Sequence, residues 1–167
     1  MNPFWSYFWP AFGLGLLIGV ISGAFAFRRP RHKRNTMLAT GFAASLVLAG
    51  LWHGPAGGAG RFSATVERSV HDLLVHYEMA QVTGHLHHEP LTRRVLLSGP
   101  ADDFQRSELV SMIGELPGVQ SARWSSDGGG IPLIVEGAAV AVVGFLLGLL
   151  LAYLVELRRR YNAQWNW

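Results

Sequence analysis

The chain has 167 residues, half of them hydrophobic, seven histidines, no cysteine and a formal charge of +3. Without cysteine there is no disulfide framework, no thiol nucleophile and no thiolate-bound metal. The positive balance is not a nucleic-acid signal: the basic residues cluster beside apolar runs, whereas 53–130 carries six Arg against nine Asp and Glu, so no nucleic-acid partner is implied.

Residues 1–34 hold the first apolar run. Phe4 to Phe27 contains no charge and is followed by the basic stretch Arg28-Arg29-Pro30-Arg31-His32-Lys33-Arg34. A helix rises about 1.5 Å per residue, so roughly 20 residues cross the hydrocarbon layer. Ala24-Phe25-Ala26 has the shape of a signal-peptidase site. No basic residue precedes the run, however, and five follow it, so the reading is a retained span. Gly15, Gly19 and Gly23 recur every fourth residue. Small residues at this spacing let helix backbones approach where lipid offers no hydrophobic drive. Pro10 is expected to start or bend this helix.

Residues 35–52 form a second uncharged run, with Gly41, Ser45 and Ala49 at the same spacing. Residues 131–167 hold the third, Ile131 to Leu157, with Gly137, Ala141, Gly144, Gly148 and Ala152 along one face and Arg158-Arg159-Arg160 after it. Near the opposite helix ends the basic residue is Arg61. Loops rich in Lys and Arg stay in the cytoplasm. The expected arrangement is therefore a multi-pass protein of the bacterial inner membrane. Its N-terminus and residues 53–130 lie in the periplasm, and its C-terminus lies in the cytoplasm. Trp5, Trp9, Trp52, Trp165 and Trp167 stand where the interfaces fall and read as anchors. The spans contain no His or Lys, which argues against an axial haem or chlorophyll ligand and a retinal Schiff base. No cofactor is expected. Glu136 is the intramembrane carboxylate, a functional hypothesis in any span, although its shallow depth allows it to reach water or an arginine. Glu156 precedes Arg159 and Arg160 at helix-pair spacing.

Residues 53–130 form the extramembrane segment. HGPAGGAG (53–60) and SSDGGG (125–130) read as flexible connections. Between them, Val66, Val70, Leu73, Leu74 and Tyr77 share one helical face, with Ser63 as a plausible N-cap. Val82, Gly84 and Leu86 alternate with polar residues, the period of a half-buried strand. Glu89-Pro90-Leu91-Thr92 turns the chain into a second strand, Arg94 to Ser98. Gly99-Pro100 breaks it. Asp102 and Asp103 suit the N-terminus of a second helix that presents Leu109, Val110, Ile113 and Leu116. Pro117-Gly118 ends this helix, and Val119 to Trp124 forms a third strand. The expected fold is three transmembrane helices plus a small α+β domain of order αββαβ.

That order, with VLLSGPADDFQRSELVSMIGELPGVQSARW, resembles the BON domain, a small module of bacterial envelope proteins, over about Phe62 to Trp124. Leu97-Ser98-Gly99 closes a strand, Arg106 sits in the helix, and Pro117-Gly118-Val119 opens the last strand, as in that family. The HLHHEP stretch and the single copy depart from it. The resemblance implies a non-catalytic module associated with phospholipid or protein at a membrane.

His71, His76, His85, His87 and His88 crowd one stretch, and His85 and His87 share a strand face, which suits zinc or copper. A closed zinc site needs about four ligands and no cysteine joins them, so solvated strand residues explain them better. Asp102, Asp103 and Glu108 have helix-surface explanations. Ser107 and Ser111 lack an activating base, and no glycine loop has a phosphate-binding context. An enzyme or transporter is therefore not expected. Two functional readings follow. One is a non-catalytic accessory or scaffolding subunit of a larger inner-membrane assembly, respiratory or photosynthetic, that docks on other integral membrane subunits through its small-residue helix faces and its periplasmic module. The other is a stand-alone envelope protein whose module binds phospholipid or envelope proteins. In both, membrane lipids are partners.

Overall fold

A computed structural model describes residues 2–124 and 130–163. The order of elements is α1 (Pro3–Ala26), α2 (Arg31–His53), α3 (Gly58–His76), β1 (Thr83–His88), β2 (Leu91–Ser98), α4 (Asp103–Gly114), β3 (Ser121–Arg123) and α5 (Leu133–Ala163). Three of these helices, α1, α2 and α5, are long and apolar enough to cross a membrane. The chain divides into two compact units. One comprises Met1–Tyr7 and Gly57–Glu136, the other Phe8–Ala56 and Gly137–Trp167.

The first unit holds the sheet, in order β1-β2-β3. β1 and β2 are antiparallel, with Thr83 opposite Ser98 and Leu86 opposite Val95, and the register shifts between Leu86 and His88. β2 and β3 are parallel, with Val95 opposite Ala122. Glu89 and Pro90, joined by a cis peptide, lie between β1 and β2, and β2 starts at Leu91 rather than Arg94. The buried residues include Phe62, Val66, Val70 and Leu74 of α3, Leu86 of β1, Val95 and Leu97 of β2, Leu109 and Ile113 of α4, and Ala122 of β3. The alternation along β1 and β2 and the four-residue spacing along α3 and α4 bring these side chains into one core. A Cβ on Gly84 would lie 2.7 Å from a Val70 methyl. The second strand residue facing α3 is therefore glycine because the helix approaches that closely.

Among the connections with positive φ, two flank α4. Gly99 leaves β2 at φ 132°, and Gly118 leaves α4 at φ 98°, where a side chain is strained. A Cβ on Gly118 would also lie 3.1 Å from Val66 and 3.3 Å from Phe62. Asp102 caps α4. Its carboxylate accepts from the Gln105 amide at 2.7 Å, and the Gln105 side chain accepts from the Asp102 amide at 3.0 Å, a reciprocal capping box.

Three sequence expectations change here. The stretch at 53–60 is not wholly a linker: α2 runs to His53 and α3 begins at Gly58, which is buried. Ser63 is therefore not an N-cap but a buried helical residue, whose hydroxyl donates to the Gly60 carbonyl at 3.1 Å. Tyr77 lies beyond the last turn of α3 and is exposed. Tertiary packing of Gly58 and Phe62 outweighs the poor helix propensity of the glycines, about 1 kcal/mol each. The 125–129 part of the second glycine-rich connection lies outside the described residues.

In the second unit α1, α2 and α5 pack against one another. α1 buries Ala11, Gly15, Gly19, Gly23 and Ala26. α2 buries Gly41, Ser45 and Ala49, and α5 buries Gly137, Ala141, Gly144, Phe145, Gly148 and Ala152. α2 starts at Arg31, so its first turn is built from the basic stretch rather than from the apolar run. Pro10 lies inside α1, seven residues after its start.

Candidate functional site

The small residues of α1 and α5 form a single interdigitated seam. A Cβ on Gly15 would overlap the Ala141 carbonyl, and one on Gly19 the Phe145 carbonyl. Reciprocally, a Cβ on Gly144 would overlap the Phe12 carbonyl and one on Gly148 the Leu16 carbonyl. Gly23 faces the Ala152 methyl, 2.6 Å from where its own Cβ would stand. The obstacles along both helices are chiefly backbone, which cannot move aside as a side chain can. Gly41 of α2 meets Ser22 of α1, and the Phe42 ring meets Phe145 edge-on at 5.9 Å. Gly137 is buried on the same α5 face. The small-residue faces expected to dock on partner subunits are therefore occupied inside this chain. The exposed faces carry large apolar residues instead: Leu17, Ile21 and Phe25 on α1, and Leu146, Leu150 and Leu154 on α5.

Two glutamates, near the start and the end of α5, interrupt this apolar surface, and arginine answers each. Arg93 Nε of β2 donates to Glu136 Oε2 at 2.7 Å, with both side chains less than one-fifth exposed. The Arg93 guanidinium also lies 5.4 Å from the centre of the Phe4 ring, a cation–π distance. The Tyr7 hydroxyl donates to the Leu133 carbonyl at 3.5 Å, the Tyr7 ring lies 5.7 Å from Phe62, and Thr92 bridges Pro132. Within this unit the first turns of α1 and α5 are thus tied to β2 and α3. Glu136 is a structural anchor rather than a lone acid.

The second glutamate, Glu156, stands among three arginines. Arg160 Nε donates to it at 3.1 Å, and Arg28 and Arg159 lie 3.7 Å and 3.9 Å away. Arg160 also donates to the Phe27 carbonyl at 3.1 Å, satisfying a helix-end acceptor of α1. The i,i+3 and i,i+4 pairs were legible from spacing, but the reach to Arg28 and Phe27 was not. An open cavity of about 510 Å³ lies here, lined by Phe27, Arg28, Arg29, Glu156, Arg159, Arg160 and Ala163.

The histidines do not converge. Among the described residues no group of three or more His, Asp or Glu is placed to hold a metal. His87 Nδ1 lies 3.1 Å from the Pro90 carbonyl, and His85 stands opposite Leu96 on the sheet. The paired residue is His88, whose Nε2 is 3.0 Å from Glu67. Glu67 also accepts from the Leu86 amide at 3.0 Å, so a helix carboxylate ties α3 to the edge strand. Nothing local in the sequence marks Glu67 for this. Trp5 and Trp9 are more than half exposed and Trp52 is half-buried. Trp165 and Trp167 lie outside the described residues. The Trp124 indole donates to the Arg106 carbonyl at 3.1 Å, and the Arg106 guanidinium sits 5.1 Å from the Trp124 ring. Arg106, singled out by the BON resemblance, thereby fastens the end of β3 to α4.

No family model, curated protein or solved structure matches the chain. No BON domain is therefore shown in 62–124.

Proposed function

We propose that this protein is a non-catalytic accessory or scaffolding component of a bacterial inner membrane that holds its αββαβ lobe on the periplasmic side. The observation that carries the reading is the distribution of charge on the three long helices. Arg28, Arg29, Arg31, Lys33 and Arg34 join the end of α1 to the start of α2, and Arg158, Arg159 and Arg160 end α5. All eight belong to the same side of a bilayer under the positive-inside rule. The lobe, mildly acidic, falls on the other. A BON-like lobe tied to helix starts by Arg93, Glu136 and Tyr7 is suited to hold a neighbour at a set place rather than to turn over a substrate.

Because the α1–α5 seam is filled by its own residues, subunit neighbours would meet the apolar outer faces of the helices or the lobe, not the glycine stripes. The same observation favours the second reading, a stand-alone envelope protein whose lobe binds phospholipid or envelope proteins, since the helix bundle closes without help. Gentle detergent extraction followed by sizing and identification of co-purifying chains separates them. Defined membrane subunits in constant ratio support the scaffold. A particle of 18.3 kDa plus micelle, with no other chain, rejects it in favour of the second reading.

A further inference from the structure

We propose that the cavity between the α1–α2 turn and the end of α5 is a binding site for the phosphodiester headgroup of an anionic membrane lipid. This deepens the membrane reading above and rests on it. Four arginines, Arg28, Arg29, Arg159 and Arg160, line a space of about 510 Å³ against one acid, Glu156. That acid is only partly exposed, whereas the side chains of Arg28, Arg159 and Arg160 are between 57% and 65% exposed. The arrangement is one carboxylate near the guanidinium groups of Arg28, Arg159 and Arg160, whose side chains remain largely open to solvent. Arg160 commits two of its donors, its Nε to Glu156 and a terminal nitrogen to the Phe27 carbonyl. Arg159 touches Glu156 only at 3.9 Å, and the Arg29 side chain has no partner among the described residues. Two guanidinium groups therefore keep donors for a ligand, and such forks match phosphate oxygens two at a time.

The opposing charges do not cancel this. Glu156 contributes one negative charge, and the C-terminal end of α1 adds about half a charge more. Four positive charges leave the cavity with a clear excess. The depth fits as well, since Phe27, the last residue of an uncharged run, forms one wall and arginines form the others. Juxtamembrane arginines attract anionic lipid by about fivefold in affinity each.

The test is native mass spectrometry of the full chain in detergent, supplied with equal phosphatidylglycerol and phosphatidylcholine, with inorganic phosphate as competitor. The expected result is preferential retention of phosphatidylglycerol that survives millimolar phosphate. It should fall by roughly tenfold or more in the Arg29→Gln/Arg159→Gln double variant, which leaves the Arg160–Glu156–Phe27 contacts in place. An Arg61→Gln variant, outside the cavity, should retain the lipid as the parent does. Equal retention of the two lipids, an unchanged preference in the double variant, or displacement by phosphate overturns the assignment. These readings in detergent do not depend on which way the chain crosses a bilayer. Orientation is read separately: the chain has no natural cysteine, so an Ala163→Cys variant reports it alone through a membrane-impermeant maleimide in sealed vesicles.

Discussion

The two units reach close packing by opposite means. In the lobe, large side chains fill the space: Phe62, Leu74, Leu86, Leu109 and Ile113 are almost wholly inaccessible. In the unit of long helices, the absence of side chains closes the space, and glycines at 15, 19, 144 and 148 set backbone against backbone. Water drives large apolar groups together at roughly 25 cal/mol per Å². Lipid tails do not, so helices there gain by close approach of small residues. That contrast is what the membrane reading proposed above expects.

The sharpest way to break the comparison is to empty the lobe. Phe62→Ala removes a ring that touches Tyr7 and lies under Gly118, and a cavity of that size costs about 3–5 kcal/mol. A lobe this small has little stability to spare. Amides of β1 and β2 should lose their hydrogen-exchange protection while those of α2 keep theirs. Simultaneous loss in both would show that the units fold as one and that the contrast is only descriptive.

The converse change overfills the helix seam. Gly19→Leu places a side chain against the Phe145 backbone, which cannot yield without separating α1 from α5, at a cost of about 1–3 kcal/mol or more. Gly13→Ala is the control, because a Cβ at Gly13 meets nothing within 4 Å, and alanine is the better helix former. Thermal melting in detergent, followed by helical circular dichroism, should fall for the first and hold or rise for the second. Equal effects would remove the seam from the account.

The Arg93–Glu136 pair tests whether the helix starts belong to the lobe. Glu136→Gln leaves a part-buried guanidinium with a weaker acceptor, and hydrogen bonds to charged groups contribute about 2 kcal/mol. A double-mutant cycle with Arg93→Gln isolates the coupling. Exchange protection around Thr92 and Pro132 should drop most, and a coupling indistinguishable from zero would sever the anchor.

Much of this was legible where the signal is local. Each apolar run lies largely within one long helix, the four-residue spacing of glycine picks out the buried faces of α1 and α5, and Gly99 and Gly118 announce positive φ. What escaped is set by distance along the chain. Arg93 meets Glu136 from 43 positions away and Glu67 meets His88 from 21. Arg160 reaches Phe27 across 133. Spacing rules say nothing of such pairs, because they depend on which elements the fold brings together. The start of α3 was missed for a related reason. Its glycines read as a linker by propensity, and only the burial of Gly58 and Phe62, a tertiary effect, makes them helical. The small stripes were located by pattern, but whether they would meet each other or a partner was not in the pattern at all.

The smallest effect concerns a feature the lobe owes to water. Asp102 caps α4 with its carboxylate on the Gln105 amide, in an exposed place where both groups could otherwise be hydrated. Asp102→Ala should cost about 1 kcal/mol, and Asp102→Asn much less, since asparagine caps nearly as well. The loss should appear as faster exchange of the Gln105 and Arg106 amides, with the melting of the long helices unchanged. α1 and α2 have no acidic residue in their first turns. A cap variant that loosened them as much as α4 would mean that the effect of the cap is not local to α4.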